Sequence, residues 1–255
     1  MTSDLVLVET RARALVVTIN RPQARNAINR RASEAIAEAL DRLDADASLS
    51  VGVLTGAGGH FCSGMDLKAF LAGERVELEG RGLAGLVERP PNKPLIAAVE
   101  GYALAGGCEI ALACDLIVAA QDAQFGLPEV RRGLIAGSGG LLRLPRRIPR
   151  NIAMEYALTG RMMSARDARG FGLVNQLVAP GTALDGALAL AHEIAANGPL
   201  AVAMTKQVID ASSDWPADEI WTRQKEILER VIVSDDAREG ARAFAEKRAP
   251  NWTGN

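Results

Sequence analysis

The stretch GYALAGGCE, residues 101–109, decides the predicted fold at the centre of the chain. It is typical of a short apolar strand, a pair of glycines and the first turn of an apolar helix. Gly106 and Gly107 would let a ligand approach the backbone, and the free N–H groups at a helix start favour a negatively charged oxygen. A glycine pair also serves simple close packing. The stretch therefore predicts a strand-to-helix turn, with an oxyanion site as one of two interpretations.

Outward from this turn, apolar strands alternate with helices. Strands are predicted at residues 5–9, 14–19, 51–55, 95–99 and 115–119, and helices at 33–43 and 106–113. This alternation predicts a right-handed α/β winding. Segment 70–92 is charged and glycine-rich, and we expect a mobile excursion there.

Beyond residue 140 the pattern becomes mainly helical. The predicted helices span 150–158, 165–171, 184–196, 200–212, 218–233 and 235–247. Glycine and proline residues separate them. We therefore expect an α/β core over residues 1–195 and a helical region over residues 196–255.

Composition excludes several classes of protein. The 255 residues are 48% hydrophobic with a formal net charge of −2, which argues against nucleic acid as the main partner. Acidic residues interrupt the most apolar region, 94–128, so no membrane span is expected. Three cysteines and a start without signal-peptide features predict a cytoplasmic protein with reduced thiols. Two histidines are too few for most metal sites, and none is expected.

Two carboxylates stand out as candidates for acid–base chemistry. Glu109 follows the glycine pair among apolar neighbours, where a carboxylate is rare unless it is paired or functional. Glu129 follows Pro128, which would hold its backbone rigidly. Each also has an ordinary explanation, since Glu109 could cap its helix and Glu129 could be an exposed loop residue.

A second loop, HFCSGMDL at residues 60–67, could supply another backbone amide. Gly64 permits a sharp turn, after which the N–H of Met65 could point at a ligand. A plain surface turn is the alternative.

Taken together, these motifs resemble the signature of the enoyl-CoA hydratase/isomerase (crotonase) family. The segments that carry the resemblance are FCSGMDL at 61–67, GYALAGGCE at 101–109 and FGLPE at 125–129, with Arg21-Pro22, Asn26-Ala27, LTG at 158–160, Ala165, Ala168, GLV at 172–174 and AFAEKR at 243–248. They cover nearly the whole chain in the family's order. One departure is Ala136, which stands where the family has a proline.

The resemblance implies a fold, an activity and an assembly. The fold is an α/β spiral of ββα units with a helical C-terminal trimerisation region, giving a homotrimer or hexamer. The activity is that of a hydro-lyase in fatty acid metabolism such as β-oxidation, which adds water across the 2,3 double bond of an enoyl-CoA. Glu109 and Glu129 would be catalytic, and the amides of Met65 and Gly106 would form the oxyanion hole.

The same resemblance implies how the substrate is held. Coenzyme A enters as part of the acyl-CoA substrate, so no separate cofactor is expected. Segments 70–92 and 134–142 would line the acyl end. The residues implied to bind substrate or CoA are Ala24, Arg25, Ser63, Met65, Asp66, Leu67 and Lys247.

Three alternatives remain beside the hydratase. The segment GLLRLP at 140–145 also resembles the carnitinyl-CoA dehydratase branch, and another crotonase-fold isomerase or hydrolase is conceivable from the motifs. A non-catalytic RNA-binding protein would need a basic face, for which Arg146, Arg147 and Arg150 are the candidates. The acidic balance of the chain disfavours it.

Overall fold

The computed structural model describes residues 5–254. Its main sheet has six strands in the order β1-β2-β3-β4-β6-β9 and a smaller sheet has three, β5-β7-β8. β1 and β2 pair antiparallel, and the other neighbours in the main sheet are parallel. The strands are β1 (Val6–Arg11), β2 (Ala14–Ile19), β3 (Val51–Gly56), β4 (Leu95–Val99), β5 (Tyr102–Leu104), β6 (Leu116–Ala120), β7 (Gln124–Gly126), β8 (Met163–Ser164) and β9 (Gln176–Val178).

Helices connect these strands and continue alone at the C-terminal end. They are α1 (Arg30–Ala45), α2 (Leu67–Leu71), α3 (Gly106–Ala113), α4 (Gly140–Arg147), α5 (Arg150–Thr159), α6 (Ala165–Gly170), α7 (Ala183–Ala195), α8 (Pro199–Ser212), α9 (Ile220–Ile232) and α10 (Asp235–Glu246). Asn29, Asp66, Ser164 and Ser234 cap their helices with side-chain oxygens. The predicted strands and helices agree with these bounds to within a few residues.

The chain passes from one sheet to the other before each central helix. β4 lies in the main sheet, β5 in the small one, and α3 follows; β6 and β7 repeat the step. Successive side chains of a strand point to opposite faces of the sheet. In the main sheet, buried apolar residues lie on both faces. One face packs on α1, α3 and the small sheet, and the other packs on Ala183, Ala187 and Ala191 of α7.

Segment 70–92 differs from the predicted mobile excursion. Val76 and the run from Leu83 to Val87 are buried in the core. The Ser33 hydroxyl donates to the carbonyl of Val76 at 2.7 Å, and Gly85 lies so close to Ala37 that an added Cβ would approach its Cβ to 2.6 Å. The prediction was wrong because it weighed charges and glycines above these scattered apolar residues, which pack on α1.

The C-terminal helices leave much of their apolar surface uncovered. No residue of α8 or α9 is buried. Trp221, Leu228, Ile232 and Val233 are 77, 47, 60 and 67% exposed. Between residues 5 and 254, no single helix has the length and apolar character to cross a membrane, although α7 and α8, which meet at 107°, pass that test as a pair.

Candidate active site

Two backbone amides lie side by side where α3 begins. A Cβ added to Gly106 would sit 3.4 Å from the nitrogen of Met65, and one added to Gly64 would sit 2.9 Å from the nitrogen of Gly106. Neither the Met65 nor the Gly106 amide donates a hydrogen bond to any atom of residues 5–254. Two adjacent, unengaged donors can receive one oxygen atom together.

The backbone just before Gly106 is strained. Ala105 has φ 51° and ψ −128°, a conformation that a residue with a Cβ rarely adopts. Its amide donates to the carbonyl of Gly126 at 2.9 Å, and its own carbonyl accepts from Cys108 and Glu109. These bonds hold Ala105 in place, and thereby fix the direction of the next amide, that of Gly106.

Leu83 occupies the space behind Gly106. A Cβ at position 106 would come within 2.5 Å of Leu83 Cδ2 and 3.3 Å of Gly64 Cα. A side chain there would first collide with this leucine, in the segment that proved buried. The wall behind the amide is therefore part of the core.

Glu109 is buried, with 3% of its surface exposed, and its carboxylate is held by backbone. Oε1 accepts from the amides of Ser138 at 2.7 Å and Gly140 at 2.9 Å. Gly140 permits this approach, since a Cβ there would lie 2.9 Å from Glu109 Cγ. Burial raises the pKa of Glu109, against the lowering effect of these amides and of Arg143.

Glu129 lies in the first turn of a 3-10 helix, Pro128–Arg132. Its Oε2 is buried without a hydrogen-bond partner in the described part of the chain, unlike the exposed loop glutamate that was the sequence alternative. Burial raises the pKa of Glu129, and the negative charge of Glu109 raises it further. The charge of Glu109 thus favours the protonated form of Glu129.

The loops predicted to hold CoA are joined to each other. Ser63 donates its amide to the carbonyl of Arg25 at 3.0 Å and its hydroxyl to the carbonyl of Ala24 at 3.4 Å. Leu67, the first residue of α2, is 49% exposed beside them. Lys247 ends α10 in a left-handed conformation, and no hydrogen bond or ion pair joins its side chain to these loops within residues 5–254.

Asp66 is engaged inside the protein. Its Oδ2 accepts from Arg21 at 2.8 Å, and its Oδ1 accepts from the amides of Lys68 at 3.0 Å and Ala69 at 3.3 Å. Burial alone would raise the pKa of Asp66, but Arg21 and these amides outweigh it and lower the pKa. The carboxylate thus has protein partners on both oxygens.

Comparison with known proteins identifies the family. The family model described as enoyl-CoA hydratase/isomerase matches residues 9–255. The chain belongs to the enoyl-CoA hydratase/isomerase family. Among curated relatives, enoyl-CoA hydratase EchA19 of Mycobacterium tuberculosis is 44% identical and covers 96% of this chain and 95% of its own length. Carnitinyl-CoA dehydratase of Proteus mirabilis is 43% identical, and the aligned region covers 96% of this chain and 97% of the relative.

Solved structures agree with this membership of the enoyl-CoA hydratase/isomerase family. The crystal structure of enoyl-CoA hydratase EchA1 from Mycobacterium marinum superposes with a TM-score of 0.98 at 64% identity, covering 99% of this chain and 100% of the other. The predicted family and the predicted α/β crotonase-type fold are therefore confirmed.

Within this family member, four structural partners escaped the sequence analysis. Arg21 contributed to the resemblance but was given no role, and Asn26 was placed only in the early loop expected to cradle CoA. Ser138 and Gly140 act through backbone N–H groups that any residue carries. Only the glycines at 137, 139 and 140 hinted at a close approach. Between residues 5 and 254, no group of three or more His, Cys, Asp or Glu side chains is arranged to hold a metal ion.

Proposed function

We propose that the chain catalyses the reversible addition of water across the 2,3 double bond of an enoyl-CoA thioester. The observation that carries the proposal is the pair of carboxyl groups beside two unengaged amides. Glu109 and Glu129 both have raised pKa values, and Glu129 keeps a buried oxygen that has no hydrogen-bond partner among residues 5–254. The names of its relatives, enoyl-CoA hydratase and carnitinyl-CoA dehydratase, bear out the predicted hydro-lyase type.

The proposed mechanism begins with the thioester oxygen between the amides of Met65 and Gly106. As water attacks the β-carbon, negative charge moves to this oxygen, and the two N–H groups stabilise it. Glu109 holds the water and takes its proton, while Glu129 exchanges the proton at the α-carbon. A raised pKa suits both roles, since one carboxyl stays protonated as donor while its ionised neighbour is a stronger base than an ordinary glutamate.

The substrate is proposed to bring coenzyme A with it, and the protein to need no other cofactor. The joined loops carrying Ala24, Arg25 and Ser63 support binding of the CoA moiety. The exposed apolar residues Leu134 and Ile135, 52 and 73% exposed, support an acyl end that accepts hydrocarbon. We place the protein in the cytoplasm and in fatty acid metabolism such as β-oxidation, as the sequence led us to expect.

Assembly is proposed to be trimeric or hexameric. The uncovered apolar side chains of α9, Trp221 and Leu228 among them, support burial against another copy of the chain. In this proposed assembly, Lys247 would meet the CoA of a neighbouring subunit.

A carnitinyl-CoA-type dehydratase is the second candidate, favoured by the relatives of that name at 43% identity. The two candidates differ in the acyl group and in the direction of the reaction. A panel of enoyl-CoA and 3-hydroxyacyl-CoA thioesters tests both, with the absorbance of the conjugated thioester followed in each direction. Apolar enoyl-CoA substrates should lose this absorbance at the highest rate. If the protein neither hydrates nor dehydrates any of these thioesters, the proposal is wrong.

A further inference from the structure

The Met65 amide depends on a loop far from it in sequence. The peptide unit that ends in the Met65 N–H begins with the Gly64 carbonyl, which accepts from the amide of Ile28 at 2.8 Å. Because a peptide unit is planar and trans, fixing its carbonyl also fixes the opposite direction of its N–H. The next amide, that of Asp66, donates to the carbonyl of the same Ile28 at 2.8 Å. Ile28 therefore holds Met65 from both sides.

Asn26 lies two residues before Ile28, and its side chain is fully buried. Asn26 Oδ1 accepts from the amide of Arg21 at 2.9 Å, and its Nδ2 donates to the carbonyls of Ala57 at 2.8 Å and His60 at 2.6 Å. One side chain thus joins the loop before α1 to both ends of the turn that follows β3. Its backbone φ of 57° lies in the left-handed region, which asparagine adopts more readily than other non-glycine residues.

Arg21 contacts both the residue before Ile28 and the residue after Met65. Its guanidinium donates to the carbonyl of Ala27 and, through Nη2, to Asp66 Oδ2 at 2.8 Å. The two side chains are only 13 and 15% exposed, so the ion pair is weakly screened. Asp66 also caps α2, so a single carboxylate ties the residue after Met65 to both the Arg21 loop and the following helix.

The other amide of the pair is held by a different set of contacts. The Ala105 carbonyl, which shares a peptide unit with the Gly106 N–H, accepts from Cys108 and Glu109 within its own helix start. The Gly106 donor is thus oriented by its helix start and by the bond from the Ala105 amide to the Gly126 carbonyl, whereas the Met65 donor is oriented by the loop of residues 21–28.

From these contacts we infer that Arg21, Asn26 and the Asp66 carboxylate are positioning residues that aim the Met65 amide at the thioester oxygen. The inference rests on the proposed function for the identity of that oxygen. It also changes the role of Asp66, which the sequence analysis placed among the residues that bind CoA.

The test uses Asp66→Asn in the full-length protein. The asparagine keeps an oxygen to cap α2 but turns an amide donor toward the Arg21 guanidinium. We expect kcat to fall roughly 10- to 100-fold, because one oxyanion donor is displaced without being removed. KM should change little, and the carbonyl stretching frequency of a bound enoyl-CoA carrying a ¹³C-labelled thioester carbonyl should move toward that of the free thioester.

A matched control is Asp115→Asn. Asp115 forms a similarly buried ion pair with Lys206, accepts from the amide of Leu95 at 2.8 Å, and follows the other end of α3. This variant should lower the melting temperature and leave kcat and the carbonyl frequency unchanged. If Asp66→Asn does not fold, Arg21→Lys takes its place, since lysine keeps the charge but cannot serve Ala27 and Asp66 in the same geometry.

An unshifted carbonyl frequency in the folded variant, or an equal fall in kcat in Asp115→Asn, would overturn the inference. Failure of the proposed function is a separate result. In that case the unmodified protein adds water to no enoyl-CoA, whereas the carbonyl frequency of a bound thioester still reports whether Met65 is aimed at it.

Discussion

The replacement Glu109→Gln separates the chemistry of the site from its architecture. Glu109 Oε1 accepts two amides, from Ser138 and Gly140, and a glutamine oxygen of the same size can accept both. What disappears is the negative charge. Because burial already disfavours that charge, its removal should not destabilise the fold. We expect turnover to fall roughly 10²- to 10⁴-fold, the span for a positioned acid or base, with CoA-thioester affinity nearly unchanged.

The matched control is Glu100→Gln. Glu100 likewise accepts two backbone amides, those of Gly181 at 3.0 Å and Ala183 at 2.8 Å, but at the start of α7. The Glu100→Gln variant should keep the turnover of the unmodified protein. Glu109→Ala, in contrast, leaves two amide donors without an acceptor at a cost of about 1–3 kcal/mol for each buried group, so its melting temperature should fall as well. Turnover of Glu109→Gln within tenfold of the unmodified protein, on the best thioester, would refute the assignment.

Four further results are expected. Glu109→Gln should lower the pKa of Glu129, since the charge that raises it is gone; a carboxyl-labelled NMR titration would read this directly, and an unchanged midpoint would contradict the coupling. A raised folded-state pKa means that the contribution of Glu129 to stability is present below its unfolded-state pKa and is lost as pH rises through the folded one, so Glu129→Gln should raise the melting temperature more at pH 7 than at pH 4. Gly106→Val should meet Leu83 and lose about 10²–10³-fold in turnover with circular dichroism retained, whereas Met65→Leu, which keeps its amide, should be nearly neutral; a fully active, folded Gly106→Val would remove that assignment. Light scattering at micromolar concentration should give a trimer or a hexamer, and a clean monomer would count against the proposed assembly.

The sequence predicted most elements whose apolar residues follow one period. The run at 14–19 and the helix at 33–43 recur in β2 and α1 because their burial follows strand and helix spacing. Shorter elements were not predicted from the sequence. Pro145 and the glycines before it concealed α4, and β8 and β9 span only 2 and 3 residues, too few for any period to register.

The site divides along a similar line. Glu109 stood out because a carboxylate among apolar residues is unusual in itself, and Glu129 stood out because it follows Pro128. The family resemblance then assigned both to catalysis. Their partners were not identifiable, since the amides of Ser138 and Gly140 carry no residue-specific signal. The approach of residue 65 to residue 106 came from family resemblance, and Asp66 was assigned to ligand binding because nothing in its type distinguishes a carboxylate that faces a ligand from one that faces Arg21.

The strained backbone at Ala105 also limits which sequences can inherit this site. A non-glycine residue at φ 51° and ψ −128° costs on the order of 1–3 kcal/mol, and a branched side chain costs more. Glycine would remove that cost but would leave the turn freer before folding. Saturation mutagenesis of the codon for position 105, scored for growth on an enoyl thioester, should recover very few residue types. The residue type at position 105 would then distinguish homologous proteins that keep this site from those that keep only the fold.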